Sequence, residues 1–175
     1  TVAALQAVEL PAIALPASAA ATAEDGRMAQ WDLTPVMSAL EAELLPVVYG
    51  DVIFDRVRGG TIFSTEDLFS HLARELKPRR ILLAGLEPGV WADYPICSRL
   101  VELITPKNYA AIAPALSGSA AMDVTGGMAS KVAQALGWVE QVPGLEVMIF
   151  SGEPPGAVQQ ALLGETLGTL IRDER

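Results

Sequence analysis

The feature that most limits the fold is a regular alternation of segments along the chain. Short apolar runs that end in glycine and proline, as in RRILLAGLEPGVW (79–91) and LEVMIFSGEPPG (145–156), are separated by segments with helical spacing. Short apolar runs are typical of buried strands, and parallel strands need a crossover between them. The alternation therefore predicts an α/β fold, a three-layer αβα sandwich with a mostly parallel central sheet and attached β-hairpins.

Two helices can be predicted with their caps. STEDLFSHLARELKP (64–78) has an amphipathic pattern, and Ser64 or Thr65 is expected to cap it. TPVMSALEAELL (34–45) predicts a second helix with Thr34 as its cap and proline in its first turn.

Other segments predict strands, turns and shorter helices. PVVYGDVIFD (46–55) predicts a single strand, and Asp25-Gly26 predicts the turn of a hairpin. Residues 97–104 are predicted to form a short helix. A helix over 128–136 is predicted to end at Gly137.

Composition excludes several classes of function. The net charge is −9 and no basic stripe is present, so a nucleic-acid partner is not expected. The single cysteine, Cys97, cannot form a disulfide within the chain and is predicted to be a small core residue in a reducing compartment. No apolar run approaches the ~20 residues that span a bilayer. These features predict one soluble, cytoplasmic domain over 1–175 without a membrane partner.

MDVTGGMASKV (122–132) places two glycines directly before a predicted helix and a lysine one turn inside it. The amino end of a helix presents free N–H groups and a positive dipole. Gly126 and Gly127 lack a Cβ, so a phosphate can approach the backbone, and Lys131 adds a full positive charge. The segment predicts an anion site. A turn without a ligand is the alternative, because such strings are common and the Walker A order is absent.

Further candidates lie where strands end, because ligands in an open α/β sheet bind beyond the carboxyl ends of its strands. The turn AGLEPGV (84–90) follows a predicted strand. Gly50-Asp51 can be explained by a bulge, and Glu66 by the helix dipole. The three tryptophans are too scattered in sequence to predict a stacking platform; they are Trp31, Trp91 and Trp138.

Taken in order, these motifs resemble the amino acid kinase superfamily and, within it, the isopentenyl phosphate kinase family. The resemblance extends over nearly the whole chain. The combination of DVTGGM-x-x-K with IF-x-G and GT-x-I is far more specific than any single motif. The blocks that carry the resemblance are PVVYGDVIFD, GGTIFSTEDLFSHLARELKP, RRILLAGLEPGVW, SGSAAMDVTGGMASKV, VMIFSGEPPG and GETLGTLIRD.

The resemblance implies an ATP-dependent phosphotransferase that converts isopentenyl phosphate to isopentenyl diphosphate. It implies ATP and Mg²⁺ as cofactors, a small phosphorylated acceptor, and a homodimer. Acceptor-side elements would lie in 1–63 and the nucleotide-binding part in 64–175. Since two anions must meet, such catalysis depends on positioning and on cationic stabilisation.

The resemblance also assigns roles to residues. Lys131 and Glu66 would be catalytic, with Lys131 stabilising the transferring group and Glu66 replacing an aspartate that orients lysines. Gly50 and Asp51 would bind the acceptor, and no metal ligand is assigned. The implied ATP-binding residues are Ala84, Gly85, Gly89, Gly126, Gly127 and Lys131.

The chain departs from the family pattern in several places. Ser64-Thr65-Glu66-Asp67 stands where the family usually has Ser-Gly-Asp-Asp, and Ser151 stands where asparagine is common. The family turn Asp-Val-Asp-Gly-Val-Tyr is replaced by LEPGVW (86–91). The opening Lys-x-Gly-Gly-Ser loop and the Gly-Ser-Phe-Gly-His segment of the family do not occur in the sequence, which implies that an amino-terminal portion of the pattern lies outside it. If the 175 residues are the whole protein, we expect little or no phosphoryl transfer.

Two alternatives remain open at this point. One is a sibling kinase that acts on fosfomycin, a nucleoside monophosphate or an amino acid carboxylate. The other is a non-catalytic ligand-binding domain of the same fold.

Overall fold

Strands and helices alternate along most of the chain, as the sequence predicts. The computed structural model describes residues 1–116 and 127–174. The strands are β1 (Ala12–Ala14), β2 (Ala21–Glu24), β3 (Arg27–Trp31), β4 (Leu45–Val47), β5 (Asp51–Asp55), β6 (Gly59–Phe63), β7 (Arg80–Gly85), β8 (Leu103–Ile104), β9 (Glu146–Ser151) and β10 (Thr169–Arg172). The helices are α1 (Val2–Ala7), α2 (Thr34–Glu41), α3 (Thr65–Leu76), α4 (Tyr109–Leu116), α5 (Gly127–Gln141) and α6 (Ala157–Leu163).

The chain divides into two compact units, Thr1–Phe69 and Ser70–Arg175, and the boundary falls inside α3. The predicted division into acceptor-side and nucleotide-binding elements concerns function, and it stays a prediction. In the described part of the chain, no helix combines the length and the apolar character needed to cross a bilayer.

The first unit contains a parallel pair, β1 with β4, and a four-stranded sheet in the order β3-β2-β5-β6. In this sheet β2 and β5 are parallel, and each forms an antiparallel hairpin with its neighbour, β3 and β6 respectively. The attached hairpins were predicted. The first has the predicted two-residue turn, with φ of 46° at Asp25 and 80° at Gly26.

The carboxylate of Asp55 joins the turns of the two hairpins. It accepts hydrogen bonds from the backbone N–H groups of Asp25 (3.1 Å) and Gly26 (2.7 Å) in the first turn. It also accepts bonds from the N–H groups of Val57 (2.8 Å) and Arg58 (2.9 Å) in the second. Asp55 is buried, so five donors, counting the hydroxyl of Thr61 at 2.7 Å, replace the water that the charge has lost.

The start of α3 is capped as predicted. The Ser64 hydroxyl accepts a hydrogen bond from the N–H of Asp67 (3.1 Å), and the Asp67 carboxylate accepts one from the N–H of Ser64 (2.9 Å). This reciprocal arrangement satisfies donors that the first turn leaves free.

The second unit contains a four-stranded sheet in the order β7-β9-β10-β8. The pairs β7–β9 and β10–β8 are parallel, and β9–β10 is antiparallel. Successive residues of β9 point to opposite faces, and its four central residues, 147–150, are all buried, so both faces are covered. Met148 and Phe150 pack against Ala157 and Ala161 of α6. The predicted layering of helices on both sides of a mostly parallel sheet is therefore present in this unit.

Helix α5 leads into β9 through the short link 142–145, so the helix and the strand run in opposite directions. A helix of 15 residues is about 22 Å long and a strand of six residues about 20 Å. From these lengths we expect the amino end of α5 to be level with the carboxyl end of β9.

Four predictions at the level of elements are wrong. Residues 46–55 form two strands, because the chain leaves β4 at Val47 and enters β5 at Asp51. Residues 97–104 form no helix, because Val101 donates to the Val90 carbonyl (2.8 Å) and β8 pairs with β10. Gly137 does not end α5, which continues to Gln141. Thr34 does not cap α2, because it is the first residue of the helix and Leu33 is the N-cap; the N–H of Thr34 donates to the Asp32 carboxylate (2.9 Å).

The prediction that Cys97 is a core residue is also wrong. It lies half-buried in the turn after β7 with φ of 55°, and it is not a core residue. Burial, helped by the charges of Glu87 and Asp93, raises the pKa of its thiol, so the thiol stays protonated near neutral pH.

Candidate active site

The carboxyl ends of β7 and β9 lie side by side. Ala84 pairs with Phe150 and Gly85 with Ser151, and the N–H of Gly152 donates to the Gly85 carbonyl at 2.9 Å. Ala84 and Gly85 are exposed, and no atom lies within 4 Å of the position that a Cβ on Gly85 would take. A ligand can therefore approach the backbone at the place where parallel strands usually bind one.

The loop 86–91 crosses this edge and is fixed on β10. The hydroxyl of Thr169 accepts a hydrogen bond from Val90 N–H (2.8 Å) and donates to the Val101 carbonyl (2.7 Å). A Cβ on Gly89 would lie 2.8 Å from that hydroxyl oxygen, so only glycine fits there. Gly89, predicted to bind ATP, thus has a packing reason to be glycine.

Gly168, directly before β10, packs closely against the same loop. A Cβ there would overlap the Ile149 carbonyl oxygen and come within 2.6 Å of the Pro88 carbonyl oxygen. Both obstacles are backbone atoms, so no side chain can move aside. The loop therefore passes over the end of β9 in direct contact with the start of β10.

Two side chains on the loop bond to each other. The indole Nε1–H of Trp91 donates to the Glu87 carboxylate at 2.8 Å. Trp91 is half-buried, whereas Trp31 and Trp138 are buried in the core.

The sequence predicted an anion site at the amino end of α5. Gly127 begins the helix, is buried and has φ of 63°, a conformation that favours glycine. Lys131 lies one turn further on and is half-buried. Gly126 lies outside the described residues.

A second group of predicted residues lies in the first unit. A Cβ on Gly50 would be 3.1 Å from the Phe63 carbonyl oxygen and 3.5 Å from the Thr65 nitrogen, so Gly50 lies against the start of α3. Glu66 is half-buried in the first turn of that helix. The structure thus brings Gly50 and Glu66 to the same helix end.

Asp51 is committed to local bonds. Its carboxylate accepts hydrogen bonds from the N–H groups of Ser18 (3.2 Å) and Val52 (2.8 Å). The bonding to Ser18 lowers the pKa of Asp51 more than burial raises it, so the carboxyl is ionised at neutral pH.

Residues 1–116 and 127–174 contain no group of three or more His, Cys, Asp or Glu side chains that could hold a metal ion. Mg²⁺ is commonly held by one or two carboxylates together with substrate phosphates, so a full protein cage is not required for it.

Sequence reasoning missed the role of two residues that shape the site, Thr169 and Gly168. Both belong to the GT-x-I motif, but their contacts with 88–90 join positions about 80 apart in sequence. Only the fold brings them together.

Comparison with known proteins places these features in a family. Residues 1–151 match the family model described as "Amino acid kinase family". The chain is 34% identical to isopentenyl phosphate kinase from Methanothermobacter thermautotrophicus over 174 residues, which is 96% of this chain and 64% of that protein. It is 35% identical to isopentenyl phosphate kinase from Haloferax volcanii over 160 residues, 91% of this chain and 58% of that protein. The chain spans less than two thirds of the length of these relatives.

Solved structures agree with the sequence matches. An X-ray structure of isopentenyl phosphate kinase aligns with a TM-score of 0.76 and 31% identity, covering 97% of this chain and 62% of its own. An N-acetylglutamate synthase from Neisseria gonorrhoeae aligns with a TM-score of 0.73, covering 99% of this chain and 40% of its own. The identity to that enzyme is 16%, so this second likeness concerns the fold alone.

Proposed function

Because the chain belongs to the amino acid kinase family and has its fold, we propose that it is an ATP-dependent phosphotransferase that acts on isopentenyl phosphate. The observation that carries the proposal is the open carboxyl edge of β7 and β9, where a Cβ on Gly85 would meet no atom within 4 Å. The similarity to isopentenyl phosphate kinases supports the choice of acceptor.

The nucleotide would bind along this edge. Ala84 and Gly85 leave the backbone accessible, and the loop that contains Gly89 borders it. The N–H groups at the start of α5, beside Gly126 and Gly127, would bind phosphate oxygens with the help of the helix dipole. Lys131 would stabilise the negative charge on the transferring phosphoryl group, where a fixed cation lowers the barrier most.

The acceptor phosphate would lie at Gly50, beside the amino end of α3. Asp51 is an ionised carboxylate and would repel a phosphate that touched it. Its bonds to Ser18 and Val52 instead fix the turn that presents Gly50. Glu66 would orient the side chains of lysines that contact the phosphates, as the resemblance implies.

Mg²⁺ would enter bound to the phosphates of ATP. The ion supplies charge neutralisation between the phosphates when it is bound. The residues above orient the two substrates, and Asp51 and Glu66 are the acidic groups that the resemblance places near them.

Turnover of a panel of acceptors tests the proposal. The protein is incubated with Mg-ATP and, separately, isopentenyl phosphate, fosfomycin, uridine monophosphate or N-acetylglutamate, and the products are followed by phosphorus NMR. We expect a diphosphate product with isopentenyl phosphate. Turnover of another acceptor alone would identify a sibling kinase. ATP binding without turnover of any acceptor would indicate a ligand-binding domain.

We further propose that the protein is a cytoplasmic homodimer. The first unit exposes four large apolar side chains in and near α1, β1 and β4, which favours burial by a partner. They are Val8, Leu10, Ile13 and Leu45. The single cysteine fits a reducing compartment.

A further inference from the structure

We propose that Glu87 is a positioning residue that holds the indole ring of Trp91 as a stacking surface for the base of the nucleotide. The inference rests on the proposed function in one respect, since it assumes that a nucleotide binds at the carboxyl edge of β7 and β9. It adds which residues hold the base end of that nucleotide.

The loop is rigid enough to present a ring in one orientation. Val90 is bonded to Thr169, and Gly89 fits against the same side chain with no room for a Cβ. The next residues are paired as well: the N–H of Ala92 donates to the Arg99 carbonyl (2.8 Å), and Trp91 forms a β-bridge with Leu100. The backbone of Trp91 is therefore held from both sides.

The ring itself is held by Glu87. Its Nε1–H is the only polar group of the indole, and it lies 2.8 Å from a Glu87 carboxylate oxygen. With that bond made, the ring has one preferred orientation, and the bond engages the edge of the ring rather than its faces. Trp91 is half-buried and does not enter the core, in contrast to Trp138, which is 3% exposed.

The surroundings of the ring suit a base better than a phosphate. Leu86, next to Glu87 on the same loop, is 76% exposed and adds apolar surface. The carboxylate of Glu87 repels phosphates, whereas Lys131 and the amino end of α5 attract them. Aromatic stacking is typical of base recognition, since every base has a flat π-face. The loop with Trp91 therefore suits a base, and the amino end of α5 suits the phosphates.

Binding measurements on matched variants test the inference. Dissociation constants for Mg-ATP and for Mg-tripolyphosphate, which has no base, are measured by calorimetry on the wild type, Glu87→Ala, Glu87→Gln, Trp91→Phe and the double variant Glu87→Ala/Trp91→Phe. Glu102→Ala, at an exposed position outside the loop, is the control. Thermal unfolding verifies that each variant is folded.

We expect Glu87→Ala to weaken Mg-ATP binding about fivefold, the usual effect of one lost hydrogen bond, and to leave tripolyphosphate binding unchanged. Glu87→Gln should stay near the wild type, because its amide oxygen still accepts the indole N–H. Trp91→Phe keeps an aromatic ring but loses the N–H, so the double variant should bind no worse than the weaker single variant. Glu102→Ala should bind as the wild type does.

Three results would overturn the inference: unchanged ATP binding by Glu87→Ala, an equal loss for tripolyphosphate, or a loss in Glu87→Gln as large as in Glu87→Ala. Failure of the proposed function looks different. Glu87→Ala could weaken binding of Mg-ATP but not of tripolyphosphate while the wild type does not phosphorylate isopentenyl phosphate. In that case the inference stands, and the proposed acceptor is wrong. A wild type that binds no nucleotide overturns both.

Discussion

Among single residues, Lys131 carries the charge on which phosphoryl transfer is proposed to depend. We expect Lys131→Ala to lower kcat by about 10²-fold, or about 3 kcal/mol of transition-state stabilisation, because a cation aimed at the transferring group is removed. Steady-state kinetics with Mg-ATP and isopentenyl phosphate measures the effect, and circular dichroism checks the fold.

Lys107→Ala is the matched control, since Lys107 is an exposed lysine in the same unit. It should leave kcat unchanged. A Lys131→Ala protein that transfers phosphate at the wild-type rate would contradict the assigned role.

Asp55 gives a prediction for the pH dependence of stability. Burial alone would raise the pKa of its carboxyl, but the hydrogen bonds from Arg58, Thr61, Gly26 and Val57 outweigh burial and hold the pKa well below its ordinary value. A carboxyl with a depressed folded-state pKa stabilises the fold above its unfolded pKa of about 3.9 and loses that contribution as the pH falls. Asp55→Asn should therefore unfold at lower urea concentration than the wild type at pH 7, and the difference should shrink below about pH 4.

Glu24→Gln, at an exposed position on the same hairpin, serves as the comparison for Asp55→Asn. Glu24→Gln should unfold near the wild-type urea midpoint at pH 7 and also below about pH 4. A difference between Asp55→Asn and wild type that stays constant with pH would show that the charge of Asp55 is not what stabilises the turns.

Residue-level prediction from sequence succeeded where partners are close in the chain. Ser64 caps α3 because Asp67 lies three positions away, a spacing that can be read directly. The role of Asp55 could not be read, because Asp25 and Gly26 lie about 30 positions from it. Thr34 was expected to cap α2 because threonine suits that role, but the sequence does not fix where the first turn begins, and Thr34 is already helical.

At the scale of elements, α5 contains a glycine that the helix does not need. Gly137 lies inside α5, and the nearest atom to a Cβ there would be 3.9 Å away. Gly137→Ala should stabilise the protein by about 0.5–1 kcal/mol, because alanine loses less entropy in a helix. Chemical unfolding measures the change. A decrease in stability would mean that α5 needs glycine for a reason its packing does not show.

The contact between the loop 86–91 and β10 predicts the opposite result for another glycine. Gly168→Ala places a Cβ against the backbone of Pro88 and Ile149, and should destabilise the fold by about 3 kcal/mol, the upper part of the usual range for overpacking. Gly137→Ala is its control, since the two variants add the same methyl group. Wild-type stability in Gly168→Ala would show that the loop can move away from β10.

The same elements show what a sequence pattern can and cannot determine. The strands β7 and β9 were predicted because each is an apolar run, but only β9 is buried on both faces. β7 lies at the edge of its sheet, and Ile81 is its one buried residue. Residues 97–104 were misassigned as a helix because their structure comes from pairing with 90–92 and with β10, which lies more than 60 positions away. Gly137 was wrongly predicted to end the helix. Packing stabilises α5, so the helix tolerates a glycine in its interior.

At the scale of the whole molecule, the proposed homodimer predicts a concentration-dependent mass. Sedimentation equilibrium should show twice the mass of the 18.5 kDa chain. Ile13→Glu should shift the population to monomer, because it buries a charge in the proposed interface. Phe54→Glu, at a position 74% exposed on the β5–β6 hairpin, is the control and should leave the mass unchanged. A wild type that is monomeric at all concentrations would contradict the proposal.

The position of the candidate site residues in the fold was predictable from the sequence, but the contacts that hold them were not. The motifs named the edge of the sheet, and Ala84, Gly85, Gly127 and Lys131 lie at or level with the carboxyl ends of β7 and β9. The motifs did not show that loop 86–91 is fixed there, because its anchor, Thr169, lies at the far end of the chain.

The carboxylate shared by the two hairpin turns has a consequence for variation in the protein. The Asp55 carboxylate bonds to both turns. A residue inserted in either turn would remove some of its hydrogen-bond donors and so disturb the position of the other turn as well. Epitope tags and natural insertions should therefore be tolerated at 153–156, which is exposed, and rejected at 25–26 and 56–58.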